Sequence, residues 1–177
     1  MIVKNTTQVG NPLIRKKAKR VADPRAKTTQ RIIKNLIDSM QHHELVGMAA
    51  PQIGENSRIF VTEIRETKLR KGDSKKNIDE LRVFINPRIL SFSKKEMVGW
   101  EGCGSVAFAN LFGTVKRSAS LVVEAMNENG EKFQIKAKDL LARVIQHEVD
   151  HLNGIVFTDR AHTKTYMSKN EYLKYRK

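Results

Sequence analysis

His147-Glu148-Val149-Asp150-His151 sets two histidines four residues apart, a spacing that on a helix brings both imidazoles onto one face and aims them at one point. The pattern reads as a metal site. Glu148 stands about 100° around such a helix from His147, near enough to handle the proton of an activated water without being a ligand itself. That arrangement implies hydrolysis. The flanking residues support a helix from Asp139 to about Leu152. Asp139 is expected to cap it, Leu140, Leu141, Val144 and Ile145 give it an apolar stripe, and Gly154 follows as a stop. Steps of four, three and four from Leu140 reach Val144, His147 and His151, so both imidazoles fall on the core-facing stripe. A pair of histidines hydrogen-bonded inside an ordinary core would not call for an acidic neighbour such as Glu148.

A catalytic metal needs a third protein ligand and an open position. A metzincin-type site would continue through Gly154 to a third histidine, but Phe157 stands where it is required. A thermolysin-like site would take a glutamate from a following helix, and Glu171 lies at a suitable distance. The third candidate is upstream, the chain's lone cysteine, Cys103 in Glu101-Gly102-Cys103-Gly104-Ser105. A thiolate is a strong ligand.

Glu101-Gly102-Cys103-Gly104-Ser105 and Gln146-His147-Glu148-Val149-Asp150-His151-Leu152 resemble the second and third signature motifs of peptide deformylases, and Gly47-Met48-Ala49-Ala50-Pro51-Gln52 resembles the first. Val9-Gly10-Asn11-Pro12-Leu13, Ile53-Gly54 and Ile85-Asn86-Pro87 extend the likeness over most of the chain. The resemblance implies a metal held by Cys103, His147 and His151, with water as the fourth ligand and a formylated peptide N-terminus as substrate. It implies Glu148 as the acid–base group, and Gln52 with the backbone N–H of Gly104 as donors to the developing oxyanion. It further implies substrate contacts from Val46, Gly47, Gly102, Leu140 and Val144. The small residues Gly47, Ala49 and Ala50 would let an extended peptide pair with this segment as an added strand. Fe²⁺ is the metal the resemblance favours, and the donor set would also accept Zn²⁺, Ni²⁺ or Co²⁺.

Three positions depart from the family's usual pattern: Leu45 replaces a glycine, Gly104 a leucine, and Ala107 a frequent proline. Loss of the leucine side chain at position 104 is expected to widen the groove or loosen the oxyanion site.

Strands are expected at Arg58–Ile64, Leu81–Ile85, Ser120–Met126 and Lys132–Ala137, with a hairpin turn at Asn127-Glu128-Asn129-Gly130 and an amphipathic helix from about Thr28 to Glu44. The expected fold is a single α+β domain over 1–177, mainly antiparallel sheets packed around a central metal-binding helix, ending in a basic tail. No continuous apolar run suggests a membrane span. Met1-Ile2-Val3-Lys4-Asn5 lacks the layout of a secretory signal, and a lone cysteine suits a reducing compartment, so the chain is expected in the cytoplasm. With 33 Lys and Arg against 19 Asp and Glu the net charge is +14. It is concentrated in 15–20, 68–76 and 164–177. The middle tract is expected to be an exposed loop. The tracts at 15–20 and 68–76 have no interleaved aromatics, which argues for solvated basic surfaces, with ribosomal RNA beside the nascent chain as the candidate partner. A weakly active relative that binds peptides or RNA is the remaining alternative.

Overall fold

The turn at Asn127-Glu128-Asn129-Gly130 closes on itself, because the Asn127 side-chain oxygen accepts from the N–H of Asn129 at 3.0 Å and of Glu131 at 2.9 Å while Gly130 takes φ +78°. It joins β6 (Ser120–Met126) to β7 (Lys132–Lys138), and burial alternates along β6 as expected of a half-buried strand. The computed structural model describes residues 2–68, 70 and 78–175. Within them β1 (Gly47–Ala49), β2 (Ile59–Ile64) and β3 (Asp79–Phe92) complete a five-stranded antiparallel sheet of order β1-β2-β3-β6-β7. A second sheet holds β4 (Glu96–Gly102), β5 (Leu111–Ser118) and β8 (Met167–Ser168) in the order β4-β5-β8. The helices are α1 (Lys27–His42), α2 (Asp139–Leu152) and α3 (Lys169–Tyr175).

Period-two alternation divides the larger sheet's side chains between two cores. Phe60, Phe84, Leu121 and Val123 point to α2, where Ala142, Ile145, Val149 and Leu152 await them. Their neighbours Ile59, Val61, Val83 and Ile85 point the other way, to Ile32, Ile33, Leu36 and Met40 of α1. On its far side α2 meets β5 of the smaller sheet, so the motif-bearing helix is central, as expected. Phe60 stacks on Phe84 at 4.4 Å with both rings fully buried, and truncating either would cost about 3–5 kcal/mol.

Several boundaries differ from the sequence expectation. Asp139 does not cap α2: Lys138 is the cap residue, without a side-chain cap bond, and Asp139 is the first helical residue at φ +50°. The reason is the absence of a linker, since β7 runs straight into α2 and the chain must turn at Asp139 itself; Asp tolerates that region better than most residues. Gly154 does end the helix, with φ +77°, and a Cβ there would lie 2.3 Å from the Arg15 carbonyl oxygen. Asn86-Pro87 does not stop β3. The strand pairs with β2 up to Ile85 and with β6 from there on, and Asn86 at φ +53° makes the crossover while its side chain bonds both backbone polar groups of Val21. Residues 167–175 fold back as β8 and α3. Of the loop expected at 68–76, residues 69 and 71–76 lie outside the described residues.

Candidate metal centre

His147 and His151 leave α2 one turn apart, and Cys103 meets them from the end of β4. The ligand atoms of the three lie within 4.8 Å of one another, with Cys103 Sγ 3.2 Å from His151 Nε2. Cys103 and His151 are buried, and His147 faces the cleft. Glu171, the alternative third ligand, is exposed on α3 and outside this group, so the thermolysin-like arrangement is not formed.

A layer of buried ions fixes the cluster from behind. His147 Nδ1 donates to Glu101 Oε2 at 2.9 Å, which leaves Nε2 to face Cys103 and His151. Glu101 in turn receives a fork of two 2.9 Å bonds from Arg117 and one of 2.7 Å from Arg143. Arg117 also reaches Asp150 at 2.5 Å, and Arg160 grips Asp150 through two bonds of 2.6 and 2.7 Å. Burial alone would raise the Glu101 pKa, but its bonds to His147 and Arg117 outweigh that and hold it well below the ordinary carboxylate range. Burial opposes the charge of Arg117, but its bonds to Glu101 and Asp150 outweigh that and raise its pKa.

The two imidazoles are pushed apart. Burial works against a proton on His147, yet the hydrogen bonds of Cys103 and Glu101 raise its pKa well above the usual value. Burial and the charge of His147 push His151 well below it. A cation bound by all three donors would replace that proton. The buried Glu148 carboxyl is raised to about 7 by burial, with the charge of His147 opposing. Its Oε2, and His151 Nδ1, are buried polar atoms without a hydrogen-bond partner among the described residues. A soft thiolate with two imidazoles, beside an unsatisfied carboxylate oxygen, fits one borderline divalent metal and an activated water.

The centre opens on a cleft of about 320 Å³. Gly47, at the edge of the larger sheet, closes against Glu148: a Cβ there would meet Glu148 Oε1 at 2.5 Å and Val144 Cγ1 at 2.7 Å. Its small size therefore seats the carboxylate, a requirement the substrate-contact reading missed. Gln52 is buried, its Oε1 accepting from Ala49 N–H at 2.8 Å, which turns Nε2 toward Cys103 Sγ at 3.6 Å. Val46, Gly102, Gly104, Leu140 and Val144 line the same cleft.

The N-terminal arm straps both expected oxyanion donors in place, through Val9 and through Thr6, Thr7 and Gln8, which carry no motif. Thr7 N–H bonds the Gln52 carbonyl at 2.8 Å, and Val9 N–H bonds the Ser105 carbonyl at 2.8 Å. The Gly104 carbonyl accepts from Thr6 Oγ1 at 2.9 Å and from Gln8 Nε2 at 2.8 Å. Gln8 Oε1 accepts from Phe108 N–H at 3.1 Å, within a stretch where Ala107, Phe108 and Ala109 all have positive φ. Such backbone costs about 1–2 kcal/mol per residue and persists because its surroundings hold it. The widening expected at Gly104 is also offset. A Cβ built on Gly104 would stand 3.1 Å from Leu45 Cδ1 and from Thr6 Cγ2, so Leu45 occupies the space beside it.

A Cys-His-His donor set backed by buried ions, with a carboxylate on the same helix facing an open cleft, defines a single-metal hydrolase. The polypeptide deformylase family profile matches residues 3–166. The peptide deformylase of Natranaerobius thermophilus is 37% identical, covering 91% of this chain and 94% of its own; that of Pseudothermotoga lettingae is 40% identical, covering 89% and 82%. The crystal structure of the Thermotoga maritima peptide deformylase superposes with TM-score 0.76 at 32% identity, covering 92% of this chain and 99% of that one. A class I type b peptide deformylase from Acinetobacter baumannii, bound to Met-Ala-Ser, superposes at 0.83 with 29% identity over 90% and 98% of the two chains. The chain belongs to the polypeptide deformylase family.

Proposed function

We propose that this protein removes the formyl group from N-formylmethionine at the N-terminus of nascent polypeptides and releases formate. The convergence of Cys103, His147 and His151 beside the buried, unsatisfied carboxylate of Glu148 carries the reading. These three side chains would hold one divalent metal, Fe²⁺ in the cell with Zn²⁺, Ni²⁺ or Co²⁺ also accepted. When bound, the metal supplies Lewis acidity that makes water nucleophilic near neutral pH. Glu148, buried beside the ligands, takes the proton of the attacking water and passes it to the leaving amine. Gln52 Nε2 and the Gly104 N–H donate to the oxygen that gains charge; removing one such donor typically costs about 100-fold or more. The outer edge of β1 pairs with the extended peptide through Val46 and Gly47, Gly102 bounds it from the other side, and Val46, Leu140 and Val144 hold the first side chain. Binding of Met-Ala-Ser by the Acinetobacter baumannii relative supports a peptide of this kind.

Metal-loaded protein, kept anaerobic for Fe²⁺, is expected to release formate from formyl-Met-Ala-Ser, and Glu148→Ala to abolish release while retaining metal. Absence of formate from the loaded wild-type protein sinks the proposal. The reaction belongs beside the ribosome in the cytoplasm, and the net charge of +14 supports contact with ribosomal RNA. Lys164→Glu with Lys174→Glu should weaken ribosome co-sedimentation and its salt dependence; unchanged binding contradicts that contact. Among the described residues no helix is long and apolar enough to cross a membrane.

A further inference from the structure

The cleft has two walls of different chemistry. One is aliphatic, from Val46, Leu140 and Val144 beside β1 and on α2; the other is aromatic, from Trp100, Phe112 and Tyr172 on β4, β5 and α3. Tyr172 lies beyond the residues 3–166 that define the family match, so the motifs do not account for it. Its placement is nonetheless fixed. Met167 and Ser168 pair with Phe112 and Leu111, Lys169 N–H bonds the Asn110 carbonyl at 2.9 Å, and the Tyr172 ring stacks on Phe112 at 4.2 Å with 1° between planes. Trp100 meets Tyr172 at 5.6 Å, edge to face. Gly102 makes room for this wall, since a Cβ there would lie 2.6 Å from the Phe112 ring.

We propose that Tyr172, with Trp100 and Phe112, forms a subsite for an apolar, preferentially aromatic, side chain of the peptide downstream of its first residue. The inference rests on the deformylase reading above. Successive side chains of an extended peptide point to opposite sides, so a chain whose first side chain lies on the aliphatic wall turns a later one toward the aromatic wall. Aromatic rings prefer offset or edge-to-face partners, and the Phe112–Tyr172 stack with Trp100 at its edge offers both. Tyr172 is then a specificity-determining residue supplied by the C-terminal helix.

The test compares formyl-Met-Phe-Ser, formyl-Met-Ala-Phe and formyl-Met-Ala-Ser with metal-loaded wild type, Tyr172→Phe, Tyr172→Leu and Tyr172→Ala. Wild type and Tyr172→Phe should favour a phenylalanine peptide by roughly 3- to 10-fold in kcat/KM. Tyr172→Leu and Tyr172→Ala should narrow that preference below about twofold, a contrast in ratios that simple loss of folded protein would not produce. Trp100, the chain's one tryptophan, gives a second readout. Its fluorescence should report the same order of affinities for Met-Phe-Ser, Met-Ala-Phe and Met-Ala-Ser, with or without turnover. No wild-type preference for phenylalanine at either position, or a preference unchanged in Tyr172→Leu and Tyr172→Ala, overturns the subsite. Absence of formate from every substrate overturns the deformylase reading instead, and the fluorescence titrations still decide the subsite.

Discussion

Behind the metal cluster Glu101, Arg117 and Asp150 are tied down by opposite charges; in front of it the chain relies on small residues and an N-terminal strap. Glu101, Arg117 and Asp150 are each under about 10% exposed and share charge-assisted bonds of 2.5–2.9 Å. At the rim, Gly47 and Gly104 are defined by what cannot fit beside them, and Gln8 holds Gly104 by a neutral hydrogen bond. Removing a charge behind the cluster leaves its partners uncompensated in a dry interior, whereas changing the rim shifts geometry by tenths of an ångström. The first region governs whether a metal site exists, and the second governs how well a peptide meets it.

Arg117→Met probes this difference most severely. It leaves Glu101 to Arg143 and Asp150 to Arg160 in a buried layer short of one positive charge, and should lower stability by about 3–5 kcal/mol and metal affinity by about 10- to 100-fold, read by denaturation and by chelator competition. Acid should act on the same region. Because Glu101 is held below its ordinary pKa, it contributes stability that is present above about pH 4.5 and is lost as pH falls toward its lowered folded value. In metal-free Glu101→Gln the stability–pH profile should be flatter across that acid window; an unchanged slope would assign the acid loss elsewhere.

At the rim, Gly47→Ala should leave metal content intact and reduce kcat/KM by about 100-fold, because the new methyl displaces Glu148. Gln8→Ala should cost about 1 kcal/mol in stability and lower kcat/KM less than Gly47→Ala does, again without metal loss. Smallest is the effect expected of the exchanged pair. Gly104→Ala crowds Leu45 and Thr6, Leu45→Gly relieves the crowding, and a double-mutant cycle should show coupling on the order of 0.5–1 kcal/mol. Strict additivity would mean that Leu45 does not fill the space beside Gly104.

The same division explains what could be read in advance. The α2 ligands are local, four residues apart on one apolar stripe, and Asn127-Glu128-Asn129-Gly130 announces its turn chemically. Arg117 and Asp150 act over 33 residues of separation, between β5 and α2. β4 contains Gly99 and Gly102, and β5 begins beside three non-glycine residues with positive φ, so neither looks like a regular strand from local pattern. Gln8 and Tyr172 gain their significance only once the two ends of the chain fold against the cleft. Long-range contacts of that kind leave no periodic mark.

The proposed centre holds a single metal by one sulfur and two imidazoles. X-ray absorption of the metal-loaded protein tests it directly. With Zn²⁺, one sulfur at about 2.3 Å and two nitrogen ligands at about 2.0–2.1 Å are expected, and Cys103→Ser should remove the sulfur shell while Glu171→Ala leaves the spectrum unchanged. A first shell without sulfur, or one altered by Glu171→Ala, would contradict it.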